Sequence, residues 1–250
     1  MSPPWRTAWI TGASTGIGRE VAVRLARAGV KVAASARSAD ALAALAREVP
    51  GISAHPLDVA NASATARVAA EVSRDLGPID LALLNAGIWQ PMGGTDFDAA
   101  KSAQSMAVNY QGVANAIAAL APAMIARGGG HLALVASVAG YRGLPKAAAY
   151  GPTKAAVIAL AESLRPDLAR HGVKVSVVNP GFVATPMTAV NTFPMPFMIP
   201  ADDAAERIVR GLAAGRFEVA FPWPLVAALK LARVLPYPLF FWYARTFLAR

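Results

Sequence analysis

The stretch Thr11-Gly12-Ala13-Ser14-Thr15-Gly16-Ile17-Gly18 follows the first apolar run of the chain, Thr7–Thr11, and opens a segment of helical periodicity that ends at Gly29. Glycines in such a stretch let the chain turn sharply and let the backbone come close to a pyrophosphate, which the N-terminus of the next helix attracts. The stretch therefore predicts a phosphate-binding turn between a first strand and a first helix. A plain glycine-rich turn is the alternative.

Beyond this turn, short apolar runs alternate with longer helical patterns, which indicates a parallel sheet covered on both faces. The predicted strands are Thr7–Thr11, Val30–Ala36, Ile52–Leu57, Leu81–Leu84, His131–Ala136, Lys174–Val178 and Phe217–Phe221. The longer predicted helices are Ala39–Val49, Ala62–Leu76, Asp98–Arg127 and Ala149–Arg170. We expect an α/β, Rossmann-like, doubly wound parallel sheet of seven strands with helices on both faces. A single catalytic domain would span residues 1–222, and residues 223–250 would form a hydrophobic helical extension of it.

Composition excludes several classes of function. The chain has 250 residues, 55% of them apolar and 16% charged, and it has no cysteine, so disulfides, thiol nucleophiles and cysteine-ligated zinc are excluded. No two of its three histidines lie at metal-ligand spacing, so we predict no metal site. The net charge of +9 is spread along the chain without a basic run, so we predict no nucleic-acid partner. The start lacks the apolar core of a signal peptide, and we expect a cytoplasmic protein.

The end of the second predicted strand bears on which nucleotide the turn would bind. An acidic residue there would bind the adenosine 2′-hydroxyl and repel a 2′-phosphate, whereas an arginine does the reverse. Ala36 leaves no acid at this place, and Arg37 follows at once. We therefore predict NADP(H) rather than NAD(H); the alternative is that Arg37 is a solvated loop charge.

Tyr150 and Lys154 lie four residues apart at a predicted helix start, hence on one helical face. A free phenol has a pKa of about 10, and a neighbouring cation stabilises the phenolate and lowers that value toward the working range. Ser137 ends the fifth predicted strand, and the carboxyl ends of parallel strands line the ligand crevice. Its hydroxyl could therefore reach a carbonyl bound beside the tyrosine.

Taken together, these motifs resemble the single-domain branch of the short-chain dehydrogenase/reductase family over about residues 7–221. The motifs that carry the resemblance are TGASTGIG at 11–18, Asp58-Val59, Asn85-Ala86-Gly87, Asn109, Ser137, Tyr150 with Lys154, and Asn179-Pro180-Gly181 with Thr185. Two positions depart from the family pattern. Leu84 stands where the family often has an asparagine, and Gly151-Pro152-Thr153 replaces the usual small residues and serine between Tyr and Lys.

The resemblance implies a role for each catalytic candidate. Tyr150 would be the general acid/base, and Lys154 would lower its pKa and hold the nicotinamide ribose. Ser137 would bind the carbonyl oxygen. Asn109 would lie at a distortion of its long helix, where its backbone positions a water that leads from Lys154 to solvent. The cofactor-binding residues implied are Gly12, Ser14, Thr15, Gly16, Ile17, Gly18, Arg37, Ser38, Asp58, Val59, Asn85, Ala86, Gly87, Tyr150, Lys154, Pro180, Gly181, Val183 and Thr185.

The substrate loop of this family follows the Asn-Pro-Gly motif, here at about residues 186–200. It is apolar, with Met and Phe that offer a deformable surface, which favours a hydrophobic ketone, aldehyde or alcohol. The alternative is a lid that packs on its own protein. The predicted substrate residues are Trp89, Tyr141, Leu144, Phe182 and Met187.

The last residues of the chain carry no acidic side chain after Val219, and two short helices, Leu225–Leu235 and Leu239–Ala249, are predicted there. They could lie in a membrane interface as a peripheral contact on the inner face of a membrane. Alternatively they pack on a second subunit or cover the active site. We favour a protein contact, because members of the family commonly form homodimers or homotetramers through their long helices and C-terminal region.

The sequence as a whole predicts an NADP(H)-dependent oxidoreductase that interconverts a carbonyl and an alcohol. The alternative is a nucleotide-sensing protein of the same fold that has lost the chemistry. Such a protein would be expected to lack Tyr150 or Lys154, and both are present.

Overall fold

The computed structural model describes residues 3–248 and contains one large parallel sheet. Its seven strands lie in the order β3-β2-β1-β4-β5-β6-β9. Their bounds are β1 Thr7–Thr11, β2 Lys31–Ser35, β3 Ile52–Ala54, β4 Leu81–Leu84, β5 Gly130–Val135, β6 Val173–Pro180 and β9 Glu218–Phe221. The order reverses between β1 and β4, so a crevice opens at the carboxyl ends of these two strands. This sheet confirms the predicted Rossmann-like fold.

Helices cover both faces of the sheet. They are α1 Gly16–Arg27, α2 Ala39–Glu48, α3 Ala62–Leu76, α4 Ala99–Met106, α5 Gly112–Ala126, α6 Tyr150–Ala169, α7 Ala201–Ala213, α8 Trp223–Val234 and α9 Tyr237–Tyr243. On one face Val72, Leu120 and Val157 pack on the sheet from α3, α5 and α6. On the other face Leu25, Leu42 and Ile208 do so from α1, α2 and α7. The strands are apolar on both sides because both sides are buried.

The predicted helix Asp98–Arg127 is not one regular helix. Asp98 is the N-cap of α4, and its carboxylate accepts hydrogen bonds from the backbone of Ala100 and Lys101 at 2.9 and 3.0 Å. Residues Ala107–Gln111 then form a π-helical turn before α5 begins. The predicted end at Arg127 is the C-cap of α5.

Three strands are shorter than predicted. β2 spans Lys31–Ser35 rather than Val30–Ala36, β3 ends at Ala54 rather than Leu57, and β9 begins at Glu218 rather than Phe217. Beyond Ala54 the edge strand continues as single backbone hydrogen bonds, from His55 to Ala34 and from Leu57 to Ala36.

The segment after β6 contains structure that periodicity did not indicate. The short strands β7 Val183–Ala184 and β8 Ile199–Pro200 pair in parallel and fasten the two ends of the predicted substrate loop, so residues 199–200 belong to a strand. The helix α7 follows directly and contacts α1 extensively. Helix α7 was not predicted from the sequence, although its pattern is amphipathic.

The C-terminal segment forms α8 and α9 and a final π-helical turn, Ala244–Leu248. Both helices begin earlier than predicted, since Pro224 and Pro238 lie in their first turns, where a missing N–H costs nothing. The predicted end of the second helix, Ala249, lies outside the described residues. Within residues 3–248, helices with both the length and the hydropathy of a membrane span do not occur.

Candidate active site

A cleft of about 420 Å³ lies at the carboxyl ends of β1, β4 and β5. With the exception of Gly18, every residue predicted to bind the cofactor lines it. Three of the four catalytic candidates, Ser137, Tyr150 and Lys154, line it too, while Asn109 lies buried behind its wall. The topology therefore brings segments from across the whole chain to one place.

The glycine-rich turn packs so tightly that neighbouring atoms occupy the positions where Cβ atoms of its glycines would lie. Gly12 and Gly16 have φ angles of 66° and 56°, a conformation that other residues rarely adopt. Gly18 is regular in backbone, but a Cβ on it would lie 2.3 Å from the carbonyl oxygen of Gly12. Gly18 therefore allows the turn to pack on its own helix, which explains why it is buried rather than exposed to the cleft.

Asn85 holds this turn in place. Its side-chain amide donates to the carbonyl oxygens of Thr11 and Gly12, both at 3.1 Å. The Thr11 hydroxyl in turn accepts from the backbone N–H of Asn85 at 3.0 Å and of Ala86 at 3.1 Å. The ends of β1 and β4 are thereby locked together under the cleft. This role of Thr11 was not predicted from the sequence.

The end of β2 presents a cation to the cleft. Arg37 is exposed and lines the cleft, and within residues 3–248 it has no ion-pair or hydrogen-bond partner for its guanidinium group. Ser38 beside it caps α2, accepting from the backbone of Ala41 at 3.3 Å. Between these residues and the opposite wall, Asp58 and Val59 complete the rim.

The loop that carries Asp58 and Val59 is held by α5. The Asn115 amide donates to the Val59 carbonyl at 2.9 Å. Gly112 lets the helix approach so closely that a Cβ there would lie 2.6 Å from the Val59 side chain. Neither Asn115 nor Gly112 was predicted; each is identified only by its contact with a cleft residue.

The reacting groups meet where β5 ends and α6 begins. The Lys154 ammonium lies 5.5 Å from the centre of the Tyr150 ring and donates to the Val135 carbonyl at 2.8 Å. The Ser137 hydroxyl donates to the Pro180 carbonyl at 3.3 Å and interacts with the Tyr150 phenol. All three side chains thus occupy one corner of the cleft.

Burial governs the protonation of this corner. It raises the pKa of Tyr150 to about 12, against a lowering by the Ser137 hydrogen bond. It also lowers the pKa of Lys154 to about 8. The net shift of the Tyr150 pKa is therefore upward, whereas the sequence predicted a lowering, because burial outweighs the Ser137 hydrogen bond. At neutral pH the tyrosine holds its proton.

Asn109 lies in the π-helical turn and is fully buried. Its amide oxygen accepts from the Ile88 backbone at 2.7 Å, and its amide nitrogen donates to the Ile88 carbonyl at 3.0 Å and to the Thr153 hydroxyl at 3.1 Å. Thr153 donates to the Tyr150 carbonyl at 2.7 Å. The threonine that departs from the family pattern thus links the π-turn to the start of α6.

The predicted substrate residues divide into two groups. Met187 lines the cleft, and Trp89 packs edge-on against the Tyr150 ring, with centroids 5.0 Å apart. The Trp89 indole donates to Asn191 at 2.8 Å, and Phe182 meets Phe193 at 6.2 Å, so both contact the loop after β7.

Tyr141 and Leu144 are placed differently. Tyr141 is buried, and its hydroxyl donates to Glu218 at 2.5 Å; Leu144 packs against the core. Neither is among the described residues that line the cleft. Burial and the Glu218 hydrogen bond raise the pKa of Tyr141 well above its ordinary value. These two positions are therefore structural supports in this conformation.

Glu218 joins the sheet to the C-terminal helices. Its carboxylate accepts from Tyr141, from the Asn179 amide at 2.9 Å and from the Lys230 ammonium. Burial disfavours its charge, but the bonds from Lys230, Tyr141 and Asn179 outweigh this and hold its pKa below the ordinary value. Sequence reasoning missed Glu218, because nothing in its local pattern distinguishes it from a surface acid.

A parallel sheet with a glycine-rich turn after its first strand, and with Ser, Tyr and Lys at its carboxyl edge, defines a nucleotide-dependent α/β oxidoreductase class. Comparison with known proteins gives the family. The sequence model described as "short chain dehydrogenase" matches residues 6–193. The chain belongs to the short-chain dehydrogenase/reductase family and is an oxidoreductase of that family.

Individual relatives span nearly the whole chain. An uncharacterized oxidoreductase of Myxococcus xanthus is 41% identical over 240 residues, covering 94% of this chain and 95% of the relative. Another, of Mycobacterium tuberculosis, is 33% identical over 238 residues, covering 91% and 92%. A solved short-chain dehydrogenase/reductase of Burkholderia phymatum in complex with NAD is 25% identical, with a TM-score of 0.85 and coverage of 93% and 94%.

Proposed function

We propose that this protein is an NADP(H)-dependent oxidoreductase that interconverts a hydrophobic ketone or aldehyde and the corresponding alcohol. The observation that carries the proposal is the convergence of Ser137, Tyr150 and Lys154 on one corner of a cleft that begins at a glycine-rich turn. The glycine geometry, the N-terminus of α1 and the open rim at Arg37 fit a dinucleotide.

The residues of the chain divide the work of the reaction. Bound NADPH supplies the hydride that the carbonyl carbon accepts. Tyr150, protonated at neutral pH, gives its proton to the carbonyl oxygen. The Ser137 hydroxyl turns its proton from the Pro180 carbonyl to the same oxygen and donates a hydrogen bond as charge develops there. Lys154 lies beside the phenol and lines the cleft, where it would hold the nicotinamide ribose of the cofactor. Since the side chain of Asn109 is committed to Ile88 and Thr153, any part it has in proton supply falls to its backbone.

The reverse reaction needs the phenolate of Tyr150. Because the pKa of this tyrosine is raised to about 12, alcohol oxidation should speed up as the pH rises above neutral, whereas carbonyl reduction should not. Initial rates of alcohol oxidation and of carbonyl reduction, measured from about pH 6 to about pH 10, would test this difference.

Tyr150→Phe is the direct test of the activity. We expect turnover to fall roughly 10²- to 10⁴-fold, the usual contribution of general acid catalysis, with NADPH affinity nearly unchanged. Tyr110→Phe, a half-buried tyrosine in the π-turn, is the matched control. Full turnover in Tyr150→Phe would refute the assignment. NADPH binding by the wild type without turnover on any carbonyl would instead support the silent, nucleotide-sensing alternative.

The preference for NADP(H) is supported by Arg37, an unpaired cation on the rim, and by the absence of an acid at Ala36. A 2′-phosphate would find there a guanidinium with free donors. Arg37→Asp should weaken NADPH at least about tenfold and spare NADH, which titrations of both cofactors would measure. Arg47→Asp on α2 is the control for charge alone. An unchanged NADPH/NADH ratio would contradict the preference, and the NAD-bound neighbour shows that this fold accepts NAD as well.

The hydrophobic substrate is supported by Trp89 beside Tyr150 and by the apolar loop that Phe182 and Met187 adjoin. Ketones graded by chain length should show kcat/KM rising with length, by about fourfold for each buried methylene group, since burial of one methylene contributes about 0.8 kcal/mol. A preference for short polar carbonyls would contradict this.

For assembly and location we propose a homodimer or homotetramer in the cytoplasm. The family resemblance implies assembly through the predicted long helices, which correspond to α4 with α5 and to α6, and through the C-terminal region. A chain without cysteine is compatible with a reducing compartment. Light scattering coupled to gel filtration would give the mass of the assembly.

A further inference from the structure

The C-terminal helices expose a concentrated apolar surface, which we call the tail surface. Of the fourteen large hydrophobic side chains exposed in the described part of the chain, seven lie on α8 and α9, each more than half exposed. They are Trp223, Leu231, Val234, Tyr237, Leu239, Phe241 and Trp242. A patch of this kind is costly in water and indicates a contact with something apolar.

The opposite side of the same helices is anchored. Leu229 is buried in the main core, and Phe240 is buried in a small cluster of the tail itself. Arg142 lies between the rings of Tyr237 and Phe240, 4.6 and 4.5 Å from their centres, and donates to the Arg233 carbonyl at 3.1 Å. The helices are therefore held in a fixed orientation, in which the seven side chains of the tail surface are each more than half exposed.

The charge of the tail distinguishes between partners. No acidic residue occurs from Val219 to the end of the sequence, whereas Arg233 and Arg245 are exposed at the edge of the tail surface. Glu218, the last acidic residue before this segment in the sequence, is already engaged by Lys230. A surface of Trp, Tyr, Phe and Leu fringed by arginines, with no acid, is complementary to an anionic phospholipid layer.

A second copy of the chain fits this surface less well. A two-fold interface sets a patch against itself, so Arg233 and Arg245 would meet the same cations with no acid in the patch to neutralise them. Because of this charge pattern and the anchored underside, we favour a membrane contact over the protein contact predicted from the sequence.

We propose that the tail surface docks on a bilayer containing anionic phospholipid, with its aromatic rings at the level of the headgroups. The helices lie in the plane of the interface and do not cross it, consistent with their lengths of 12 and 7 residues.

Docking would bring the substrate loop close to the lipid. Arg142, held by the tail, and Lys146, whose ammonium lies 5.6 Å from the centre of the Phe193 ring, belong to one short loop between the tail and the substrate loop. Val190, Phe197 and Met198 of the substrate loop are exposed too. If the proposed carbonyl–alcohol chemistry is right, the substrate would be a membrane-dissolved molecule; this part alone rests on the proposed function.

Vesicle flotation with the full chain tests the docking. We expect the wild type to float with vesicles of phosphatidylcholine mixed with phosphatidylglycerol, and much less with phosphatidylcholine alone. Leu231→Asp combined with Phe241→Asp should reduce binding at least about tenfold, since each loses one buried apolar side chain. Arg233→Gln with Arg245→Gln should weaken it by about fivefold per arginine, and only on the anionic vesicles.

The control is Ile125→Asp, which should leave flotation unchanged. Ile125 is an exposed apolar residue at the end of α5, next to the amino end of β5 and away from the tail. Wild type that stays unbound on both kinds of vesicle would overturn the proposal. Flotation of the aspartate double variant at the wild-type level would also overturn it. A third contrary result has two parts: the double variant dissociates an oligomer, and the wild type floats equally well with and without anionic lipid. That result would assign the tail surface to a protein contact. Flotation measures no turnover, so its failure leaves the proposed activity standing, and failure of the activity leaves the docking standing.

Discussion

Replacing Lys154 by methionine should leave the cofactor-free protein as stable at pH 7 as the wild type, or more stable, although it removes a group from the reacting corner. The ammonium is 3% exposed, and burial lowers its pKa from 10.5 to about 8. At about 1.4 kcal/mol per tenfold change in proton affinity, the buried charge costs about 3 kcal/mol of folding free energy at pH 7. Methionine removes that cost but orphans the Val135 carbonyl, which costs roughly 1–3 kcal/mol.

The pH dependence separates these two contributions. Because the pKa of Lys154 is lower in the folded protein, the unfolded chain binds more protons between pH 8 and pH 10.5, and the wild type gains stability as the pH rises through this window. Relative to Lys154→Met, the wild type should gain about 2–3 kcal/mol between pH 7 and pH 10. The orphaned carbonyl does not titrate, so it cannot produce this change.

Urea unfolding followed by circular dichroism, at pH 7 and pH 10, would measure the difference. Lys31→Met, an exposed lysine on the same sheet, is the control and should track the wild type at both pH values. A free-energy difference between wild type and Lys154→Met that stays constant from pH 7 to pH 10 would refute the reasoning. Turnover of Lys154→Met should fall by orders of magnitude at either pH.

Three further perturbations probe other parts of the fold. His131 is buried, and burial lowers its pKa to about 4. The folded protein therefore loses stability as the pH falls from 6.5 through 4, because the unfolded chain binds the proton first. His131→Gln should abolish this loss of about 3 kcal/mol, as measured by urea unfolding. Gly18→Ala, whose Cβ would lie 2.3 Å from the Gly12 oxygen, should weaken NADPH binding at least about tenfold in fluorescence titrations, whereas Gly143→Ala, with open space around it, should not. Asn61→Ala removes the cap of α3 and should lower the free energy of unfolding by about 1 kcal/mol without altering turnover.

Much of the fold follows from patterns that are local in sequence. The strand Leu81–Leu84 and the helix Ala62–Leu76 have the predicted bounds, since a fully apolar run and a helical stripe ended by Gly77 leave little choice. The helix α7 was missed because the preceding loop is apolar and without periodicity, which hides where the helix begins. The division of the long helix at Ala107–Gln111 was foreseen only through the family resemblance, since no residue there breaks a helix.

The site was predictable where a motif fixes the residue and unpredictable where only contact does. Tyr150, Lys154 and Ser137 stand in a recognisable order along the chain, and the fold brings them together. Glu218 and Arg142 have no sequence signal, because each depends on a partner that is distant in sequence: Tyr141 lies 77 residues from Glu218, and Arg233 lies 91 residues from Arg142. Tyr141 was assigned to the substrate from its place after Ser137, yet the ring turns inward to Glu218.

The π-helical turn at Ala107–Gln111 amounts to one residue more than a regular helix would need, and the surplus rotates α5 relative to α4 by roughly 100° about the common axis. Deleting a single residue here, such as Tyr110, would restore an unbroken helix of ordinary pitch. The regular helix could then keep either the contact of Asn109 with Ile88 or the contact of Asn115 with Val59, but not both. A shorter, more regular chain would thus give up the junction between the two halves of the cleft.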